Sequence, residues 1–264
     1  MPGRIQSIER AAAILRLLAG GPHGLRLTEI SRSLELPKGT ALGILRTLQH
    51  VGFVEQDPDS SRYRLGGGML SLGTRYLDGN ELRTRALNWA DTLASRSGES
   101  VRIGTLHKHQ VLVVHHVFRP DSTQQILDVG TLLPLHATAV GKVLMAFDPL
   151  AVPEETLAPT EEDAAPVSLP SFTRHTVTSL DALKAQLVEV RDNGWGWEAE
   201  ELVDGEVSIA APISDRRGTT VGAIGVRGAV ERLRDGKGGP DMEQVSYVRD
   251  AARAISRDLG MPPY

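Results

Sequence analysis

The positions of helix breakers in the first 66 residues constrain the fold more than any other feature of this 264-residue chain. Gly20-Gly21-Pro22 and Leu36-Pro37 separate three segments in which apolar residues recur every three or four positions, as on one face of a helix. The pattern predicts a first helix before Gly20, a second with Thr28 as its N-cap, and a third that ends at a Gly52 cap. Two helices joined by a turn of about three residues are typical of a helix-turn-helix.

The third predicted helix has one apolar face and one face with small or hydrogen-bonding side chains. The apolar face consists of Ala41, Ile44, Leu45, Leu48 and Val51. The opposite face carries Lys38, Gly39, Thr40, Leu42, Gly43, Arg46, Thr47 and His50. A helix face with such small side chains fits the major groove of DNA, which is about 12 Å wide. We expect all of these residues except His50 to contact DNA, and we expect Thr28 of the second helix to contact it as well. The alternative for Gly39 and Gly43 is a locally weak helix, since each glycine costs about 1 kcal/mol relative to alanine.

A short hairpin is predicted directly after the third helix. Two β-rich segments, 53–56 and 62–65, flank the turn-forming residues 57–61. A hairpin in this position is a wing, and we expect Arg62, Tyr63 and Arg64 to reach phosphates or the minor groove. Gly66-Gly67-Gly68 then predicts a flexible joint before a short connecting helix.

Charge is distributed unevenly along the chain, whose net charge is −4. Residues 1–75 contain 10 Lys and Arg against 6 Asp and Glu, whereas the remainder contains 19 against 27. A basic N-terminal segment followed by an acidic remainder is expected when only the N-terminal segment contacts phosphate. The alternative is an ordinary scatter of surface charge. The chain has no cysteine, which excludes disulfides and thiolate metal sites, and we expect a cytoplasmic protein with no signal peptide and no membrane span.

The second part of the chain predicts an α+β domain with a mainly antiparallel sheet. Its predicted strands are 101–106, 111–118, 126–129, 207–214 and 221–227. Its predicted helices are 81–97, 136–147, 179–193 and 241–259. The connections 108–110 and 215–218 are too short for parallel crossovers. The stretch 148–178 is predicted to be a loop over the edge of the sheet.

Two other classes of function compete with DNA binding. One is a metalloenzyme or hydrolase, because His107, His109, His115 and His116 lie close together, with Asp121 and Asp128 downstream. Hairpin histidines without a ligand are the simpler interpretation, and no HExxH, GxSxG or phosphate-binding loop occurs, so we predict no catalytic residue, metal ligand or cofactor. The other is a winged helix that binds protein, which a weak salt dependence of binding would indicate.

Four segments together resemble the IclR family of bacterial transcription regulators. They are SIERAAAILRLLAGG with LRLTEISRSLELPKGTALGILRTLQHVGFVEQDPDSSRYRLG, PLHATAVGKVLMAF at 134–147, DNGWGWEAEELVDGEVSIAAPISDRRGTTVGAIGVRGAVERL at 192–233, and VRDAARAISRDLG near the end. The resemblance implies a winged helix-turn-helix over 1–66, a linker helix over 67–80 and a GAF-like effector-binding domain over 81–264. It implies a homodimer or homotetramer on palindromic operator DNA, and an effector that either releases or strengthens DNA binding.

The resemblance also implies which residues bind the effector. They are Gln125, Leu133, Ala139, Val140, Glu198, Ser208, Gly225 and Arg227. Arg227 replaces a small hydroxyl residue of members that bind keto acids, and a guanidinium suits a phosphate or a second carboxylate better. Two segments resemble family members that regulate glycerol operons, which favours glycerol 3-phosphate. The alternative is that Arg227 pairs with Glu198 or Glu200 and only supports the structure.

Overall fold

The computed structural model describes residues 5–21, 23–121, 124–148 and 169–260. The chain divides into a first unit up to Gly79 and a second from Asn80 onward. The elements of the first unit are α1 (Gln6–Ala19), α2 (Leu27–Ser33), α3 (Lys38–His50), β1 (Val54–Gln56), β2 (Tyr63–Leu65) and α4 (Gly67–Asp78). The strands β1 and β2 pair antiparallel, so α2, α3 and the hairpin form the predicted winged helix-turn-helix.

The ends of α2 and α3 differ in detail from the prediction. The α2 helix begins at Leu27, so Thr28 lies inside it, and the backbone N–H of Arg26 is satisfied by the Glu29 carboxylate at 2.6 Å. Pro37 precedes the first residue of α3 as its N-cap. Gly52 follows the helix with φ +76°, a conformation that favours glycine.

The core of the first unit comes from the inward faces of its three leading helices. Ile14, Ile30 and Leu45 are fully buried, and Ala41 and Leu48 pack beside them. The predicted inward face of α3 is therefore confirmed except at Val51, which is 49% exposed because the helix has already ended there. Burial of these side chains leaves the opposite face of α3 free of core contacts.

The three glycines after the hairpin are not the predicted flexible joint. The N–H groups of Gly66 and Gly68 donate to the carbonyls of Phe53 and Gly52 at 2.9 and 3.0 Å. A Cβ atom at Gly68 would lie 2.7 Å from the Gly52 carbonyl oxygen. Glycine is required here because the backbone of α4 starts in direct contact with the turn after α3.

The second unit is built on a six-stranded sheet with the order β5-β4-β3-β8-β7-β6. Its elements are α5 (Glu81–Ser97), β3 (Ser100–His107), β4 (Gln110–Val117), β5 (Leu132–Pro134), α6 (Ala139–Phe147), α7 (Leu180–Asn193), β6 (Gly196–Ala199), β7 (Glu206–Ser214), β8 (Thr220–Ala229), α8 (Val230–Leu233) and α9 (Met242–Leu259). All neighbouring strands pair antiparallel, which confirms the predicted α+β class.

Three predictions for this unit are corrected by the structure. Residues 126–129 are not a strand, and the edge of the sheet is formed instead by β5. The strand β6 was missed because it is only four residues long and follows a helix directly. Helix α6 begins at Ala139 rather than His136, because the Thr138 side chain accepts the Gly141 N–H at 3.1 Å and caps the helix there. Of the predicted loop 148–178, residues 149–168 lie outside the described part.

Helix α6 is buried over nearly its whole length between the sheet and α7. Residues from Ala139 to Ala146 are all buried, including Lys142. A side chain at Gly141 would collide with the backbone of Leu135, so the chain passes close beneath the first turn of the helix. Within the described residues, no helix is both long enough and apolar enough to span a membrane.

Candidate nucleic-acid interface and ligand site

The exposed face of α3 is the first candidate site. Lys38, Gly39, Gly43 and Arg46 are exposed on it, while Thr40 and Leu42 are partly covered. A Cβ atom added at Gly39 or Gly43 would meet no described atom within 4 Å, so packing within the chain does not require glycine at either position. The hydroxyl of Thr47 donates to the Gly43 carbonyl at 3.1 Å. Among the described residues, the ion pairs found do not involve Lys38 or Arg46, so this face presents two cationic side chains beside the exposed backbone at Gly39 and Gly43.

The three predicted wing residues have different roles in the structure. Tyr63 is only 4% exposed and packs in the core, so the prediction that it contacts DNA is wrong. The guanidinium of Arg62 donates to the Gly24 carbonyl at 2.8 Å and fastens the hairpin to the turn before α2. Arg64 is exposed and forms a surface ion pair with Glu55 at 3.5 Å. Thr28 is also exposed, at the start of α2.

In the second unit, a chain of hydrogen bonds links the beginning of α6 to the neighbouring strands. The Ala139 N–H donates to the Ser208 hydroxyl at 3.3 Å, and that hydroxyl donates to the Glu198 carboxylate at 2.6 Å. The Glu201 N–H donates to the other carboxylate oxygen of Glu198 at 2.9 Å. Burial raises the pKa of Glu198, and the hydrogen bond from Ser208 opposes this rise. These polar groups converge at the positive end of the α6 dipole.

Most of the predicted effector-binding residues surround one small space beside this chain. Its lining includes Leu133, Val140, Glu198, Ser208, Gly225 and Arg227. Gln125 is separate from it, because its side-chain amide is held by both backbone groups of Arg119, at 2.7 and 2.9 Å. Gln125 lies instead at a larger neighbouring cavity of about 480 Å³. Arg102 and Arg227 line both spaces.

The larger cavity is lined by ion pairs, and sequence reasoning missed most of their members. Arg227 pairs with Glu206 rather than with Glu198 or Glu200, and Arg102 pairs with Asp128. Burial, followed by the nearby Arg102 guanidinium, lowers the pKa of Arg227 to about 10. Arg102 was missed because it lies far along the chain from Arg227, and only the pairing of β3 with β8, in which Arg102 is opposite Gly225 and Arg227 is opposite Ser100, brings the two residues together.

The histidines weighed as metal ligands do not form one group. His107 and His109 are exposed around the hairpin turn, whereas His116 is buried and its Nδ1 accepts the Asp128 N–H at 3.2 Å. Burial lowers the pKa of His116 and favours its neutral form. In the ranges that the structure describes, the residues close enough to share an ion are His175, Glu200 and Asp204.

Comparison with known proteins decides the family. Residues 7–58 match the IclR helix-turn-helix domain, and residues 74–257 match the bacterial transcriptional regulator IclR C-terminal family. The chain belongs to the IclR family. This IclR-family chain is 54% identical to the glycerol operon regulatory protein of Streptomyces coelicolor and 53% identical to that of Streptomyces griseus. Both alignments cover 98% of each of the two chains compared.

Solved structures of the IclR family agree with the fold. The crystal structure of an IclR transcriptional regulator from Alicyclobacillus acidocaldarius has 26% identity and a TM-score of 0.79, covering 98% of this chain and 100% of the other. Other matched relatives are likewise named transcriptional regulators or repressors. The chain is therefore an IclR-type DNA-binding transcriptional regulator, as predicted, and the enzyme alternative is set aside.

Proposed function

We propose that this regulator represses an operon for the catabolism of glycerol or a related carbon source, and that it acts in the cytoplasm. The observation that carries the proposal is the identity of more than half of its residues with two glycerol operon regulatory proteins, over nearly the full length. We assign residues 1–66 to DNA binding, 67–80 to a linker helix and 81–264 to effector binding.

The DNA-binding surface in this proposal is the exposed face of α3, with the wing beside it. Lys38, Thr40 and Arg46 supply hydrogen-bond donors for bases and phosphates, Leu42 contacts a thymine methyl group, and Gly39 and Gly43 let the backbone approach the groove. Thr28, Thr47, Arg62 and Arg64 complete the predicted contacts along the DNA backbone.

A palindromic operator follows if the regulator binds as a two-fold dimer or a tetramer built from dimers. Helix α4 supports this assembly, because none of its residues is buried within the chain. Leu70, Leu72 and Tyr76 are 75, 51 and 57% exposed on it. A second copy would cover these apolar side chains and place two α3 helices about one turn of DNA apart.

The proposed effector is glycerol 3-phosphate, bound beside Arg227, which lines both spaces. Backbone N–H groups at the start of α6, the Ser208 hydroxyl and the Glu198 carboxylate suit its hydroxyl groups, and guanidinium groups suit its phosphate. Binding shifts the regulator toward whichever form, DNA-bound or free, holds the effector more tightly.

The proposal is tested by sequencing the genomic fragments that the purified protein retains with and without glycerol 3-phosphate. We expect enrichment of a palindromic site beside genes for glycerol use, and a change in its retention when the metabolite is added. Enrichment of unrelated sites that do not respond to glycerol 3-phosphate would contradict both the operon and the effector.

The Arg227→Ala variant is expected to lose at least about tenfold in affinity for glycerol 3-phosphate, because charge-assisted bonds to a phosphate are among the strongest polar contacts. Isothermal titration calorimetry measures this directly. Arg217→Ala, which removes an exposed charge at the β7–β8 turn, serves as the control and should bind like the wild type. Equal affinity in the Arg227→Ala variant would remove Arg227 from the effector site.

A further inference from the structure

The cavity beside Arg227 holds more fixed charge than recognition of a small neutral molecule needs. Four arginines and three carboxylates are among its lining residues. The two central guanidinium groups, Arg102 and Arg227, lie on the neighbouring strands β3 and β8, and each is paired with a carboxylate of this chain. An anionic ligand that uses these guanidinium groups therefore competes with those carboxylates.

The ion pairs at this cavity differ in how easily they can open. Glu99 is 2% exposed, it accepts two hydrogen bonds from Arg232, and its carboxylate lies against Gly228 so closely that a Cβ there would collide with it. Glu99 is therefore a fixed part of the structure. The side chains of Glu206 and Asp128 are 34 and 21% exposed, so each can turn toward water when its guanidinium partner is taken.

We propose that Glu206 and Asp128 are internal counter-ions which a dianionic group of the effector displaces, and that they select against monoanions. The inference rests on the proposed effector site. A monoanion that replaces one carboxylate exchanges one ion pair for another and gains little. A dianion that bridges Arg102 and Arg227 replaces both carboxylates at once and supplies charge for both cations, which otherwise repel each other. A phosphate monoester has this charge at neutral pH.

The charge balance at Arg227 agrees with this interpretation. Burial and the Arg102 guanidinium both lower its pKa, to about 10, while Asp128 and Glu198 oppose the shift. Asp128 and Glu198 therefore offset the effects of burial and of Arg102 only in part, and a further negative charge nearby stabilises the Arg227 guanidinium.

Calorimetric titration of the full-length Glu206→Gln and Asp128→Asn variants tests the proposal. Glycerol 3-phosphate, inorganic phosphate and glycerate, a monoanion of similar size, are the probes. We expect each variant to bind glycerol 3-phosphate about five to ten times more tightly than the wild type, because a competing charge is gone. The wild type should bind glycerate at least about tenfold more weakly than glycerol 3-phosphate.

The matched control is Asp204→Asn, which removes an exposed carboxylate that does not line the cavity. It should leave the affinity within about twofold, since exposed charges are screened by solvent and salt. If Asp204→Asn tightens binding as much as the other variants, or if neither of them tightens it, the counter-ion proposal is overturned while the effector site stands. If the wild type and all variants bind neither glycerol 3-phosphate nor phosphate, the effector assignment fails with it.

Discussion

The Lys142→Met variant is expected to lose about 3–5 kcal/mol of unfolding free energy in the effector-binding unit, because it leaves a buried carboxylate without its partner. The side chains of Lys142 and Glu201 are only 1 and 7% exposed, and the ammonium group of Lys142 donates to Glu201. Glu201 also donates its backbone N–H to Glu198, so the pair supports the polar chain at the start of α6. Urea denaturation followed by circular dichroism measures the loss.

Two further variants separate the ion pair from general effects of the substitution. Lys184→Met removes an exposed lysine from α7 and should change the unfolding free energy by less than about 0.5 kcal/mol. The double variant Lys142→Met with Glu201→Leu should recover most of the lost stability, since an apolar pair of similar volume replaces the whole ion pair. A Lys142→Met protein as stable as the wild type would show that Glu201 has another source of compensation.

The Arg46→Ala variant is expected to bind operator DNA about ten to a hundred times more weakly, a loss of about 1–3 kcal/mol. Arg46 is exposed on the sparsely covered face of α3, where the neighbouring Gly39 and Gly43 leave its guanidinium free to reach a base edge or a phosphate. Gel-shift titrations at several salt concentrations measure both the affinity and its salt dependence. A phosphate contact lowers the slope by about 0.9, whereas a base contact leaves it nearly unchanged.

The Arg217→Ala variant is the control for this experiment as well, because it removes the same charge from an exposed turn of the other unit. Its operator affinity should match that of the wild type. The affinity of Arg46→Ala for glycerol 3-phosphate should also be unchanged, since the residue lies outside the effector-binding unit. Operator binding by Arg46→Ala at wild-type strength would contradict the assignment of α3 as the recognition helix.

The predicted effector residues show which parts of a candidate site can be inferred from the sequence. Family resemblance placed Glu198, Ser208 and Arg227 in the site, and the structure brings all three to one cavity because β6, β7 and β8 are neighbours in the sheet. The sequence did not reveal Arg102. It offered Glu198 or Glu200 as the partner of Arg227, whereas the structure pairs Arg227 with Glu206. The ion pairs of Arg102 with Asp128 and of Arg227 with Glu206 join residues more than twenty positions apart, so local periodicity contains no information about them.

The wing hairpin shows the same limit of inferring tertiary contacts from the sequence. Two β-rich segments around a turn predicted a hairpin correctly, but the sequence does not indicate which face of a two-stranded hairpin meets the helices. Tyr63 became a core residue, because β2 pairs with Leu25 and turns that ring inward.

Most of the helices, the longer strands and the apolar face of α3 were determined by the sequence itself, because each depends on residues within a few positions of one another. The order of the strands within the sheet, the burial of Lys142 against Glu201 and the pairing of Arg227 with Glu206 were decided only by the tertiary structure. These features depend on which distant segments share one low-dielectric interior, where each charge must find a partner or remain unsatisfied.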